Sequence, residues 1–504
     1  MTKDQTEVIH AQPAHQLRGL CAKILRVLSL AALTCSANAV TPLADDYAGC
    51  EDTIVSSTVV VGPAENYQSA VDAAVAGQRV LFQSGTYSNG LRLYDLIGSA
   101  GNCIIIEGPP DQSAVFVGLP INGVRNVVQI RNSSYLVLRN LEIDGAGTTN
   151  LDGIKSDANL VGGNPNPWSH HLVLENLYIH DFDFSQQQVG ISTKGPAWNW
   201  VVRHNRIERV GTGIYFGNSN GAEHFVNGLI EYNLITDSVG YNMQIKHQFA
   251  ASRPDSGAPG YESLPATGRT VIRHNVFHKG ANSSGGASAR PNLLVGAQPL
   301  SGDGANDSVI ISQNFFYQNP TGFEALFQGE GNITLFGNLL YNGLGPGVFI
   351  QPQNGEVREI RIFQNTVVAD GTGIRVSSPN GAFAQLVRGN AVFASGTALS
   401  GGTQTENIID TLNNADQYLN NPTGLLTGAD RLDLFPLNGA LTGAALDLDP
   451  INTAPDFDRD FNDAPRTGGF RGAYAGEGSN PGWLLALEIK PELNPDILFA
   501  DSFE

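Results

Sequence analysis

The chain has 504 residues, a net charge of −19, 41% hydrophobic and 15% charged residues. Its hydrophobic content excludes disorder over most of the length, and its excess of acid excludes general electrostatic affinity for nucleic acid or anionic membranes. With 58 glycines, 26 prolines and no long apolar stretch at helical spacing, it reads as an all-β protein with many turns.

At the N-terminus, Arg18, Lys23 and Arg26 lead into an apolar run from Val27 to Thr34, followed by Ala37-Asn38-Ala39. A basic region, a short apolar core and an A-x-A site describe a secretory signal over residues 1–39. The run is too short to span a bilayer, and no later segment is long enough. The expectation is a secreted, periplasmic or cell-surface protein with no transmembrane segment, taken as a monomer. Cys50 and Cys103 follow the signal; in an exported chain such a pair is expected to form a disulfide, the alternative being two buried thiols.

Residues 64–87 read as a short amphipathic helix, a glycine turn and a strand, the capping element that an open solenoid end needs. A repeat then begins: an aliphatic residue, two variable ones, then Asn. It gives Asn140, Asn176, Asn205, Asn233, Asn275, Asn314, Asn338, Asn365 and Asn390, at spacings from 24 to 42 residues. A base period in the mid-twenties with short β-rich runs predicts a single right-handed parallel β-helix over residues 40–400. The asparagines would stack from coil to coil as a structural ladder. Residues 401–504, rich in Pro, Asp and Gly, are expected to close the end as a cap and irregular tail. The acids clustered in 455–478 could hold Ca²⁺, but they meet no calcium-loop spacing, which favours a solvated acidic loop closing the solenoid.

A second strand recurs after each Asn, in "DGIKSD", "VGISTKG", "TGIYFGN" and "NMQIKHQ". Alternation along a strand places Ile154, Ile191, Ile214 and Ile245 inward, and Lys155, Ser192, Tyr215, Gln244 and Lys246 outward. Only five lysines lie beyond residue 39, and Lys155, Lys194 and Lys246 all fall on this strand or its end. A groove carrying Lys155, Lys194, Tyr215 and Gln244 suits an extended polymer bearing carboxylates. The longest intervals follow Asn233 and Asn275, and such insertions often mark a binding face. Lys246 is 13 residues beyond Asn233 and Arg290 is 15 beyond Asn275, which predicts that they stand one above the other on successive coils.

Eliminating a uronic-acid polymer requires a base for the C5 proton, a cation for the growing enediolate charge and an acid for the leaving oxygen. A lysine whose pKa is lowered by an arginine can be that base. His247, Arg273, His274 and His278 are near in sequence as proton donors or substrate ligands. Arg273-His274-Asn275 duplicates Arg203-His204-Asn205, which favours a structural role for the dipeptide.

Residues 64–400 resemble the right-handed parallel β-helix proteins of the pectate lyase-like superfamily. Within them, "MQIKHQ" followed by "SARPN" is similar to the Lys/Arg arrangement of the alginate lyase and chondroitinase B type of polysaccharide lyase. The resemblance implies an anionic polysaccharide as partner, Lys246 as base, Arg290 as acid, and Ca²⁺ neutralising the substrate carboxylate. His247 stands where that family has a serine, and no Asn/Glu/Glu calcium set is visible beside it. Two other functions fit the sequence. One is a non-catalytic β-helix that binds glycan or protein; the other is a glycoside hydrolase using Glu324 and Glu330 or Asp181 and Asp183.

Overall fold

The computed structural model describes residues 47–118, 125–157, 168–250, 253–466 and 469–492; the expected signal segment lies outside them. Three parallel sheets run along the chain. The first extends from Ser57–Val61 to Thr403–Thr405, the second from Gly85–Tyr87 to Ile408–Thr411, and the third from Leu91–Tyr94 to Leu399–Ser400. One coil donates a strand to each sheet, as Leu229–Glu231, Leu234–Thr236 and Met243–Ile245 do, and each strand pairs with its counterpart in the next coil. This is a parallel β-helix.

Side-chain alternation fixes the interior. On the third sheet Ile154, Ile191, Ile214, Met243, Leu293, Phe327, Val348 and Ile374 pair in sequence as one fully buried column. Burying each such side chain contributes roughly 1.5–3 kcal/mol, so the stack of coils is the main source of stability. A helix of six residues, Tyr67–Asp72, adds Tyr67 and Val71 to the same core, where Tyr67 packs on Phe82, Tyr87 and Phe116.

The asparagine ladder exists, with two corrections. It begins at Asn205 and runs through Asn233, Asn275, Asn314, Asn338, Asn365 and Asn390 to Asn407, which the sequence motif missed. At each step the backbone N–H and Nδ2 donate to Oδ1 of the next Asn, at 2.9–3.0 Å. Asn140 and Asn176 stand one residue out of step. They adopt φ of 60° and 48° at the corner, while the fully buried Leu141 and Leu177 occupy the ladder position. The ladder ends against apolar chain, where Leu177 N–H donates to Asn205 Oδ1 at 2.9 Å.

Cys50 and Cys103 form a disulfide across 53 residues. By loop-closure entropy its removal is expected to cost about 4 kcal/mol. A Cys103→Ser, Cys50→Ser double variant should therefore show a lowered urea midpoint in equilibrium unfolding, and an unchanged midpoint would count against this contribution.

After Thr411 the chain turns back along the second sheet. The outward residues Leu234, Val276, Phe315, Leu339 and Ala391 are covered by Leu419, Leu434, Phe461, Tyr474 and Trp483. Farther along, Lys490 is fully buried and donates to Phe461 O at 2.6 Å, with His274 Nδ1 at 2.9 Å.

Candidate active site on the third sheet

Register on the third sheet aligns Lys155, Ser192, Tyr215, Gln244, Leu294 and Gln328 as one outward column. Lys246 stands one step beyond Gln244, at the end of the strand Met243–Ile245, and is half-buried. Lys194 and Lys246 both approach Tyr215, with Nζ 5.2 and 6.0 Å from its ring centroid. Cations at that range are attracted by the ring quadrupole, so Tyr215 is a contact shared by both lysines. Gly217 lies between the lysines in register; its φ is +86°, and a Cβ there would come within 3.2 Å of Lys246 Cβ. The glycine leaves the lysine stem its path.

On this face the Lys246 amine is shifted toward its neutral form. Burial lowers its pKa, the Arg290 guanidinium lowers it further, and Glu330 acts in the opposite sense. Burial pushes Tyr215 up to about 12, which keeps its hydroxyl protonated beside the amine. Tyr241 is likewise raised by burial, and Arg290, whose Cζ is 5.9 Å from its ring centroid, partly offsets that.

Arg290 does not stand above Lys246. Leu293, Leu294 and Val295 pair with Met243, Gln244 and Ile245, so Gly296 is level with Lys246 and Arg290 sits in the preceding corner. It reaches Lys246 through its charge. Its position is held from behind: its carbonyl accepts from Lys279 Nζ at 2.6 Å and Asn319 Nδ2 at 2.9 Å, and its Nη1 donates to Ala289 O at 2.6 Å. Lys279 is buried, and burial holds its pKa near 7 against the pull of Glu324. Tyr241 and Lys279 were not singled out from sequence. Tyr241 lies only five residues before Lys246, and a lysine among five, at the start of an insertion, was the available signal for Lys279.

The remaining candidates divide. Gln244 faces the column and is almost fully buried, with its side chain beside Tyr241. Lys155 is on the column but pairs with Asp157 at 3.4 Å. His247 is buried, edge-on to Phe249 at 5.2 Å, and burial followed by Lys246 lowers its pKa. Arg273 does not join the group. It belongs to the first sheet and is ion-paired with Glu231 at 2.8 Å and with Asp456 of the returning chain. His274 is buried beside it against Tyr232, and His278 meets Thr236 Oγ1 at 2.7 Å on the second sheet.

Of the four carboxylates considered for hydrolysis, Glu330 and Asp181 are engaged by other groups. Glu330 is buried and accepts the backbone N–H groups of Ala297, Gln353, Asn354 and Gly355. Asp181 pairs with Arg209 and His180 on the second sheet. The donor set near Lys246 also does not fit Ca²⁺, which takes six to eight oxygens. Glu330 is saturated by amides, and Glu324 faces the cations of Arg290 and Lys279. In the tail, Asp456 is committed to Arg273, and Asp460 accepts the N–H groups of Asn462, Ala464 and Ala475. Among the described residues, His and carboxylate ligand atoms converge at Glu142, Asp144 and His180, on the second sheet.

No protein-family model and no curated protein matches the chain. Among solved structures it is similar to an alginate lyase from Paenibacillus sp. str. FPU-7, at 17% identity and TM-score 0.42 over 70% of this chain and 99% of that one. It is also similar to pectate lyase Pel9A, at 13% identity and TM-score 0.41 over 89% and 100%. A lacto-N-biosidase from Eubacterium ramulus gives 12% identity and TM-score 0.46 over 70% and 68%. No residue role is carried over from these likenesses; the parallel β-helix itself rests on the strand pairing above.

Proposed function

We propose that the third-sheet face is the active site of a polysaccharide lyase that cleaves a uronic-acid polymer by β-elimination. The observation that carries this is the half-buried Lys246, whose neutral amine is favoured by burial and by Arg290, in contact with a protonated tyrosine that a second lysine also approaches. Neutral Lys246 takes the C5 proton. The C5–H electron pair forms the C4–C5 double bond, and the bond from C4 to the glycosidic oxygen breaks. Arg290 and Lys194 offset the carboxylate charge as it grows into the ring. A guanidinium is a poor proton donor because it stays charged. The Tyr215 hydroxyl, held protonated, is the better group to protonate the leaving oxygen.

The test is incubation with alginate, pectate, hyaluronan and chondroitin while following the absorbance of the unsaturated uronate product. Absence of that product from all four, with retention on an immobilised glycan, would make the face a binding platform instead. Activity should rise with pH, because the neutral amine is the reactive form and lowering its pKa moves that rise below the usual lysine range. In Arg290→Gln, one of the two influences that lower Lys246 is gone, so the rising limb of kcat against pH should move to higher pH. A limb that stays in place would remove Arg290 from the tuning of the base.

A further inference from the structure

The start of the first-sheet strands carries a second site, independent of the third sheet. Tyr261 and Leu264, from the insertion beyond Lys246, pack on Trp168, Trp198 and Val226. Beside them is a surface pocket of about 370 Å³, lined by Tyr135, Trp168, His170, Asn132, Glu262 and Ser263 among others. Its aromatic groups are fixed by stacking: Tyr135 on His171 at 4.3 Å and His170 on Trp198 at 4.2 Å.

A chain of hydrogen bonds sets where the proton sits on His170. The backbone N–H of Arg269 can only donate, and it donates to Asn227 Oδ1 at 3.1 Å. Asn227 therefore turns Nδ2 toward Asn199 Oδ1, at 2.7 Å. Asn199 in turn donates from Nδ2 to His171 Nε2, at 2.9 Å. A neutral imidazole has one N–H, so His171 carries it on Nδ1 and donates to His170 Nδ1, at 2.6 Å. His170 is left with its proton on Nε2. The His170 side chain bonds a described residue through Nδ1, which leaves Nε2 for a ligand, and His170 lines the pocket. Burial holds His170 near pKa 3 and His171 near pKa 4, so both rings are neutral at physiological pH.

The pocket thus offers one fixed donor, aromatic surface, and polar side chains that accept. It also carries the Glu262 carboxylate and, among its described lining residues, no lysine or arginine. Aromatic rings with convergent polar groups suit a pyranose, and the charge balance disfavours an anionic one. We propose that this pocket binds a neutral sugar residue, with His170 Nε2–H donating to a sugar oxygen.

Two measurements on the full chain test this. In histidine-15N-labelled protein, two-bond proton–nitrogen spectra should show His171 protonated on Nδ1 and His170 on Nε2. In Asn199→Asp the new carboxylate accepts from both Asn227 and His171 Nε2, so both tautomers should reverse. Calorimetric titration with maltohexaose, cellohexaose and mannohexaose should give saturable binding of at least one, and oligomannuronate should give none at this site. Trp168→Ala and the tautomer-reversing Asn199→Asp should each weaken the neutral ligand at least tenfold; Glu262→Gln, fully exposed and easily accommodated, should weaken it less. A His170 protonated on Nδ1 in the unaltered chain, or tautomers that do not reverse in Asn199→Asp, would overturn the proposal. So would saturation by none of the neutral probes, or unchanged affinity in both Trp168→Ala and Asn199→Asp.

Discussion

Lys246→Ala is expected to lower the elimination rate by about 10³-fold, within the range of roughly 10²–10⁴ that a positioned general base supplies. The loss should appear in kcat, because in the proposed mechanism Lys194, Tyr215 and Arg290 remain to hold the substrate. Lys246→Arg should not restore it: a guanidinium keeps the positive charge but cannot accept a proton. Folding should be unaffected. Lys246 is half-buried near another cation, and its charge is disfavoured by burial and by Arg290, so its removal relieves an electrostatic cost. Kinetics on each uronate polymer, with circular dichroism as the folding control, decide the matter. An Ala variant that keeps its rate would take the base away from Lys246.

The second large effect concerns the ladder. Asn314→Ala is expected to destabilise the protein by about 3 kcal/mol. Asn314 Oδ1 accepts both the backbone N–H and Nδ2 of Asn275, and its Nδ2 donates to Ile272 O and Asn338 Oδ1. Alanine leaves the Asn275 N–H buried with no acceptor, at roughly 1–3 kcal/mol, and adds a cavity and lost hydrogen bonds. Asn140→Gly is the comparison. Asn140 is outside the ladder and has φ of 60°, a conformation glycine adopts freely, so the change should stay within about 1 kcal/mol. Urea unfolding of the two variants separates these outcomes, and equal midpoints would show that the ladder amides are not a special store of stability.

Much of the solenoid was legible because its period is written in the side chains. The inward column at Ile154, Ile191 and Ile214 follows from alternation alone, and so does the outward placement of Gln244 and Lys246. The first two asparagines misled because "RN" and "EN" precede a leucine that takes the interior position; only pairing shows that Leu177 aligns with Asn205. Arg290 was placed too high for a similar reason. Counting from the ladder assumes equal corners, but the chain takes ten residues from Asn233 to Met243 and eighteen from Asn275 to Leu293. Fifteen residues past Asn275, the chain is still in the corner. Arg273 could not be assigned from sequence, since its partner Asp456 is 183 residues away.

In a plain solenoid each coil touches only its neighbours, and stability is close to a sum over nearest pairs. Here the returning chain ties Asp456 to Arg273, Asp460 to Gln313, Phe470 to Gln364 and Lys490 to His274. These ties span several coils at once, so fraying cannot proceed one coil at a time from the C-terminal end. The protein should melt in one sharp calorimetric transition, and a chain cut after Thr411 should lose that sharpness, exchanging backbone amides of the 269–394 coils far faster than the intact molecule.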